Sequence, residues 1–203
     1  VEVAHDAAAC ALAESRFGGH QREDTLVYLT CGTGFGAGMV QRGKIYEGAE
    51  GVHPEIGHWR LSEGGPEAFD REGSAEAYCS GKGFSRIAAW KYPERWSDPE
   101  PDPETITQLA RGGDEAANEV VSFQAKMTGR VCAMIAEMLC PHKILLGSLA
   151  RHLGPFWVDQ VVRYYHQEVL ARIGNTVQVV PASLGARLQD LSALAVAMGS
   201  VQR

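Results

Sequence analysis

The run Gly32-Thr33-Gly34-Phe35-Gly36-Ala37-Gly38 decides how this chain is read. It follows directly on residues 26–31, a short apolar and β-branched stretch that predicts a strand. Glycine at every second position removes Cβ atoms from one approach, so backbone N–H groups can converge on an anion such as a phosphate. The run also meets the dinucleotide fingerprint GxGxxG/A at Gly32, Gly34 and Ala37, but that fingerprint requires a helix immediately afterwards. Residues 37–41 and 44–47 instead flank Arg42-Gly43 as a hairpin, which sets the dinucleotide reading aside. No GxxxxGK[ST] occurs, so the loop is not a Walker P-loop either. A glycine-rich turn without a ligand is the plain alternative.

Outward from this loop, the alanine-rich residues 7–17 predict a helix stopped at Gly18-Gly19. Residues 48–73 are polar and irregular, with a breaker at Gly64-Gly65-Pro66. Residues 75–91 predict a helix, and the prolines crowded into 93–103 predict an exposed loop. A short helix at 105–111 closes on Gly112-Gly113, and the longest helix follows at 114–139. There Ala116, Val120, Phe123, Met127, Val131, Met134 and Met138 step by three and four, which predicts one buried face. Strands at 144–146 and 177–180 alternate with helices at 156–173 and 188–198, so the fold class is α/β.

Composition narrows the function. With 203 residues, 45% hydrophobic and 22% charged, the chain is neither disordered nor fibrous. A net charge of −6 argues against a nucleic-acid or anionic-membrane partner, and no 18-residue apolar run is present to span a bilayer. Five cysteines without a CxxC pair point to a reducing cytoplasm.

Three polar clusters accompany the loop. His5-Asp6 opens the first predicted helix, where Asp6 is either an N-cap or a general base for a hydroxyl that attacks a phosphoryl group. Glu55-Ile56-Gly57-His58 is a compact cluster in a region without periodicity, a spacing that ordinary loops also show. Glu76 begins the helix after it, where the helix dipole alone favours an acid.

Together these segments resemble the ROK family (repressors, open reading frames and kinases), whose kinases phosphorylate sugars with ATP. The family's Asn-Asp-Ala-x-x-Ala-x-x-x-Glu segment is matched from His5-Asp6-Ala7 to Glu14, and its Gly-Thr-Gly-x-Gly-x-Gly by Gly32 to Gly38. Gly43, Gly48 and Glu55 to His58 match the glycine linker and the Glu-x-Gly-His signature, and the family's Leu-Glu-x-x-x-Ser-Gly is seen as Ala75-Glu76 to Ser80-Gly81. Gly113-Asp114 and Ile144-Leu145-Leu146-Gly147-Ser148 complete the order of motifs. The resemblance implies an actin-like ATPase (ribonuclease H-like) fold, chiefly the C-terminal lobe of a two-lobed sugar kinase, over residues 1–203. It implies Asp6 as the base, and His5, Glu55, His58 and Glu76 as sugar ligands. Gly32, Thr33, Gly34, Gly36 and Gly147 would border the ATP phosphates, with Mg²⁺ accompanying the nucleotide. Family members commonly form dimers, and Tyr164-Tyr165-His166 is a candidate contact.

Three departures matter. His5 replaces the family's Asn. The positions of the family's zinc-binding cysteines fall on Glu67, Phe69 and Ser74, so no structural zinc is expected and His58 is freed for sugar. His53-Pro54 stands where many members have Ala-Gly, a variant like that of fructokinase-type members. The family's first phosphate hairpin, Asp-x-Gly-x-Thr, is missing, and Val1-Glu2-Val3 reads as the tail of a strand. The expectation is the C-terminal part of a longer hexose kinase, inactive alone. The sugar-sensing domain of a ROK-type repressor and a non-catalytic kinase-like domain are the other readings.

Overall fold

The computed structural model describes residues 5–20 and 24–200, so the strand tail expected at Val1-Glu2-Val3 lies outside the described residues. Helix α1 (Asp6–Phe17) leads into β1 (Thr25–Cys31), β2 (Phe35–Gln41) and β3 (Lys44–Ile45). Two 3₁₀ turns, Ala49–Gly51 and Ile56–His58, precede the small hairpin of β4 (Glu67–Ala68) and β5 (Arg71–Glu72). Helices α2 (Ala75–Cys79), α3 (Gly83–Lys91), α4 (Pro93–Trp96), α5 (Pro103–Arg111) and α6 (Glu115–Leu139) follow. Then come β6 (Lys143–Leu146), α7 (Ser148–Leu153), α8 (Pro155–Glu168), α9 (Ala171–Gly174), β7 (Gln178–Pro181) and α10 (Leu188–Ser200).

The main sheet has the order β3-β2-β1-β6-β7. β1 pairs antiparallel with β2 and parallel with β6, and β6 is parallel to β7. Strand alternation sends Val27, Leu29 and Cys31 to one face and Leu26 and Tyr28 to the other. The first face packs under α2, α3, α6 and α8 around Phe84, Ile87, Trp157 and Tyr165. The second carries α1 and α10, with Ala7, Ala11, Leu12 and Leu188. The α/β expectation therefore holds as a three-layer arrangement.

Close approach explains why α1 is so rich in alanine. A Cβ on Gly38 would lie 2.1 Å from the Ala7 carbonyl oxygen, so the first turn of α1 rests directly on the backbone of β2. At its other end, the buried Glu14 carboxylate accepts from Ser183 N–H at 3.1 Å, Ser183 Oγ at 2.7 Å and Leu184 N–H at 2.9 Å. His20 Nε2 also lies 3.3 Å from it. A buried carboxylate is tolerable only when bonded in this way.

Several expectations change. The glycine run is loop only through Gly34; from Phe35 on it belongs to β2, because Gly36 and Gly38 pair with Thr30 and Tyr28 across the ladder. The helix expected at 75–91 breaks into α2 and α3, because Ser80 is extended (φ −70°, ψ 168°) and Gly81 N–H donates to the Gly32 carbonyl at 2.6 Å. The proline loop opens with α4, whose Trp96 is buried against Tyr92, ring centroids 5.5 Å apart. On α6, Met134 is exposed and Met138 is 71% exposed. The helix is covered from two sides, so its buried centre line runs instead through Gln124, Thr128, Val131 and Ile135. The helix expected at 156–173 stops at Glu168, since Val169 turns extended (ψ 147°) and is buried in the core. Tyr165 is buried and donates to the Val177 carbonyl, so it is not a surface contact, while the half-buried Tyr164 bonds Ser122.

Candidate active site

The glycine loop sits at the C-terminal end of β1, and Gly147 at the C-terminal end of the neighbouring parallel strand β6. Crevices outside such strand ends are where open α/β sheets bind ligands. Gly147 N–H donates to the Leu29 carbonyl at 3.0 Å. A Cβ there would lie 2.6 Å from both that oxygen and the Tyr28 hydroxyl, so no larger residue fits. A Cβ on Gly32 would meet Ser148 Oγ at 3.4 Å, which brings the two glycine turns together.

Within the loop, Gly32 N–H donates to the Gly34 carbonyl at 3.1 Å and Phe35 N–H to Glu76 Oε2 at 2.5 Å. Gly36 N–H is spent on Thr30 Oγ1 at 3.0 Å. Among the described residues, the N–H groups of Thr33 and Gly34 have no protein partner, and both residues are exposed. Those two amides are open to an anion, whereas the Gly36 amide is already bonded. Behind the loop, burial pushes the Cys31 thiol up to about 12 and raises those of Cys79 and Cys132 further. These thiols are un-ionised apolar filling.

Glu76 is 6% exposed and buttresses the loop rather than merely opening a helix. One carboxylate oxygen holds Phe35, while Oε1 is left without a hydrogen-bond partner among the described residues. The Glu55–His58 turn packs against the same point: a Cβ on Gly57 would lie 2.5 Å from the Phe35 carbonyl and 3.7 Å from Glu76 Cβ. Both Glu55 and His58 are exposed. His58 is anchored through its carbonyl by Arg71 Nη1 at 2.8 Å, and its ring lies 5.8 Å from that of Phe69. Phe69 and Asp70 form the β4–β5 turn with φ of 53° and 55°, and Ser74 caps α2 through Ala77 N–H. The three positions that matched the family's zinc cysteines thus serve a hairpin and a helix cap.

Asp6 is the first residue of α1, and His5, not Asp6, stands at the N-cap, with no side-chain cap bond. The Asp6 side chain is 86% exposed and accepts from Ala7 N–H at 2.6 Å. His5 stacks on His53, ring centroids 5.0 Å apart and planes 27° apart. That stack ties the Asp6 end of α1 to the segment that carries Glu55 and His58. The sequence marked His53 only as a variant position, because a pairing between residues so distant in sequence leaves no periodic trace. An open groove of about 600 Å³ near Lys82 and Arg86 includes none of these residues.

The ROK family model matches residues 1–198. A glucokinase of Halalkalibacterium halodurans is 29% identical over 196 residues, covering 91% of this chain and 59% of that protein. The xylose repressor of Bacillus subtilis is 23% identical over 186 residues, covering 91% of the chain and 47% of the repressor. The structure of a ROK family glucokinase from Streptomyces griseus in complex with glucose and AMPPNP superposes with a TM-score of 0.81 at 27% identity, over 96% of this chain and 67% of that one. The chain thus spans between about half and three fifths of the length of these two curated relatives. Its fold is the actin-like ATPase fold of the ROK sugar kinases, and the chain belongs to the ROK family.

Proposed function

We propose that this chain is the sugar-holding, base-carrying part of an ATP-dependent hexose kinase. The observation that carries the reading is the exposed Asp6 carboxylate, joined through the His5–His53 stack to the Glu55–His58 turn and, beyond it, to the glycine loop. Asp6 accepts the proton of the attacking sugar hydroxyl. Glu55, His58 and the open oxygen of Glu76 orient the remaining hydroxyls, with His5 beside the base. The amides of Thr33 and Gly34, with the Gly147 turn alongside, fit the phosphates of ATP. ATP with Mg²⁺ supplies the phosphoryl group when bound. Zinc has no place in the scheme, since the matching positions are Glu67, Phe69 and Ser74. Five free cysteines suit a reducing cytoplasm. The full-length product assembles as a homodimer.

Asp6→Asn in the full-length gene product should lower kcat about 10²–10⁴-fold with little change in the sugar KM. Unchanged turnover would remove Asp6 as the base. The purified 203-residue chain should bind sugar but release no ADP, for want of an Asp-x-Gly-x-Thr hairpin. Sugar-dependent ADP release by it would contradict that. The similarity to the xylose repressor supports a second reading, a sugar-sensing domain without chemistry. Sugar binding with no turnover by the full-length product would favour it.

A further inference from the structure

His5 and His53 are two separate departures from the family pattern, yet their rings stack face on face, 5.0 Å apart at 27°. The Nδ1 atoms of both are buried and lack a hydrogen-bond partner. His5 Nδ1 is 3.6 Å from Asp6 Oδ1, too far for a hydrogen bond. As a packing device this is poor, because two apolar side chains would fill the space without leaving buried nitrogens unpaired. The pair does keep one useful property. With Nδ1 unbonded, the protein fixes neither tautomer, so the opposite nitrogen, Nε2, can either donate to or accept from a hydroxyl. His5 retains 30% of its side-chain surface, and its neighbour in sequence is Asp6. Pro54 disfavours helical backbone at His53, which restrains the residue that carries the second ring.

We infer that His53 is a specificity-determining residue and that it works as one unit with His5. The stacked imidazoles bind the sugar hydroxyl next to the one that Asp6 deprotonates, each ring setting the other's orientation. The inference rests on the sugar-kinase reading above and deepens it. An Asn opposite His53, or a small residue opposite His5, would leave one ring without the face that orients it.

The test is steady-state phosphorylation of glucose, fructose, mannose and N-acetylglucosamine by the full-length gene product and its His5→Asn, His53→Ala and double variants. Each single change should lower kcat/KM for the best wild-type sugar by about ten- to a hundredfold. The double variant should be no worse than the poorer single one, since each change already breaks the unit. It should also rank the four sugars in a different order, with the KM for ATP unchanged. If His53→Ala lowers Tm, His53→Gln is read the same way. An unchanged kcat/KM and sugar ranking in the His53 variants, or single effects that simply multiply, would overturn the inference. A wild-type product that phosphorylates none of the sugars would instead remove the kinase reading, and this inference with it.

Discussion

At the scale of single residues, the site depends on atoms that are missing as much as on those present. Gly38 has no Cβ where one would lie 2.1 Å from Ala7. Gly38→Ala should cost about 1–3 kcal/mol, as overpacking does, and should lower kcat more than it raises the sugar KM because α1 carries Asp6. Urea unfolding and steady-state kinetics check the two parts. Asp6, Glu55, His58 and Glu76 stood out in the sequence because each belongs to a short contiguous motif. What Glu76 does was not legible: its bond to Phe35 N–H joins residues far apart in the chain. The His5–His53 stack was hidden for the same reason.

At the scale of elements, helix ends were read well wherever the cap is local. Asp114 caps α6 through Ala117 N–H at 2.9 Å, and Asp114→Ala should destabilise by about 1 kcal/mol. The other end of α6 runs against its own sequence, because Cys140 sits in the left-handed region at φ 44°, ψ 51°. That conformation costs an L-residue about 1–2 kcal/mol and costs glycine almost nothing. Cys140→Gly should therefore raise Tm by several degrees in a thermal melt, and a lower Tm would count against this account. Where tertiary contacts set the ends, the sequence pattern misled. The break between α2 and α3 exists because Gly81 bonds Gly32 instead of continuing a helix, and a propensity scale does not contain Gly32. The predicted stripe on α6 is buried at Val120, Met127 and Val131 and fails at Met134 and Met138, because the helix is covered from two sides, a fact of the layers and not of the period.

At the scale of the whole molecule, the sheet separates two cores, and the larger one encloses the thiols of Cys31, Cys79 and Cys132. Burial raises all three, Cys31 to about 12 from an ordinary 9.0. Above pH 9 the unfolded chain loses these protons while the folded chain keeps them, so stability is full below pH 9 and falls as pH rises. Each thiol contributes a slope of about 1.4 kcal/mol per pH unit until its folded value is reached. Urea midpoints measured from pH 8 to 11 should fall steeply past 9, and a flat profile would contradict the burial. Native thiol labelling should reach the exposed Cys140 promptly and the three core cysteines only on unfolding.

The two anchors of α1 acquire a mechanical meaning at this scale. One end presses on β2, near one edge of the sheet, and Glu14 ties the other to residues just past β7, the opposite edge. The helix is a tie-beam laid across the strands. β2 and β7 cannot shear past each other without lifting a backbone seat or rupturing three hydrogen bonds. The carboxylate of Asp6 is thus located by the full width of the sheet.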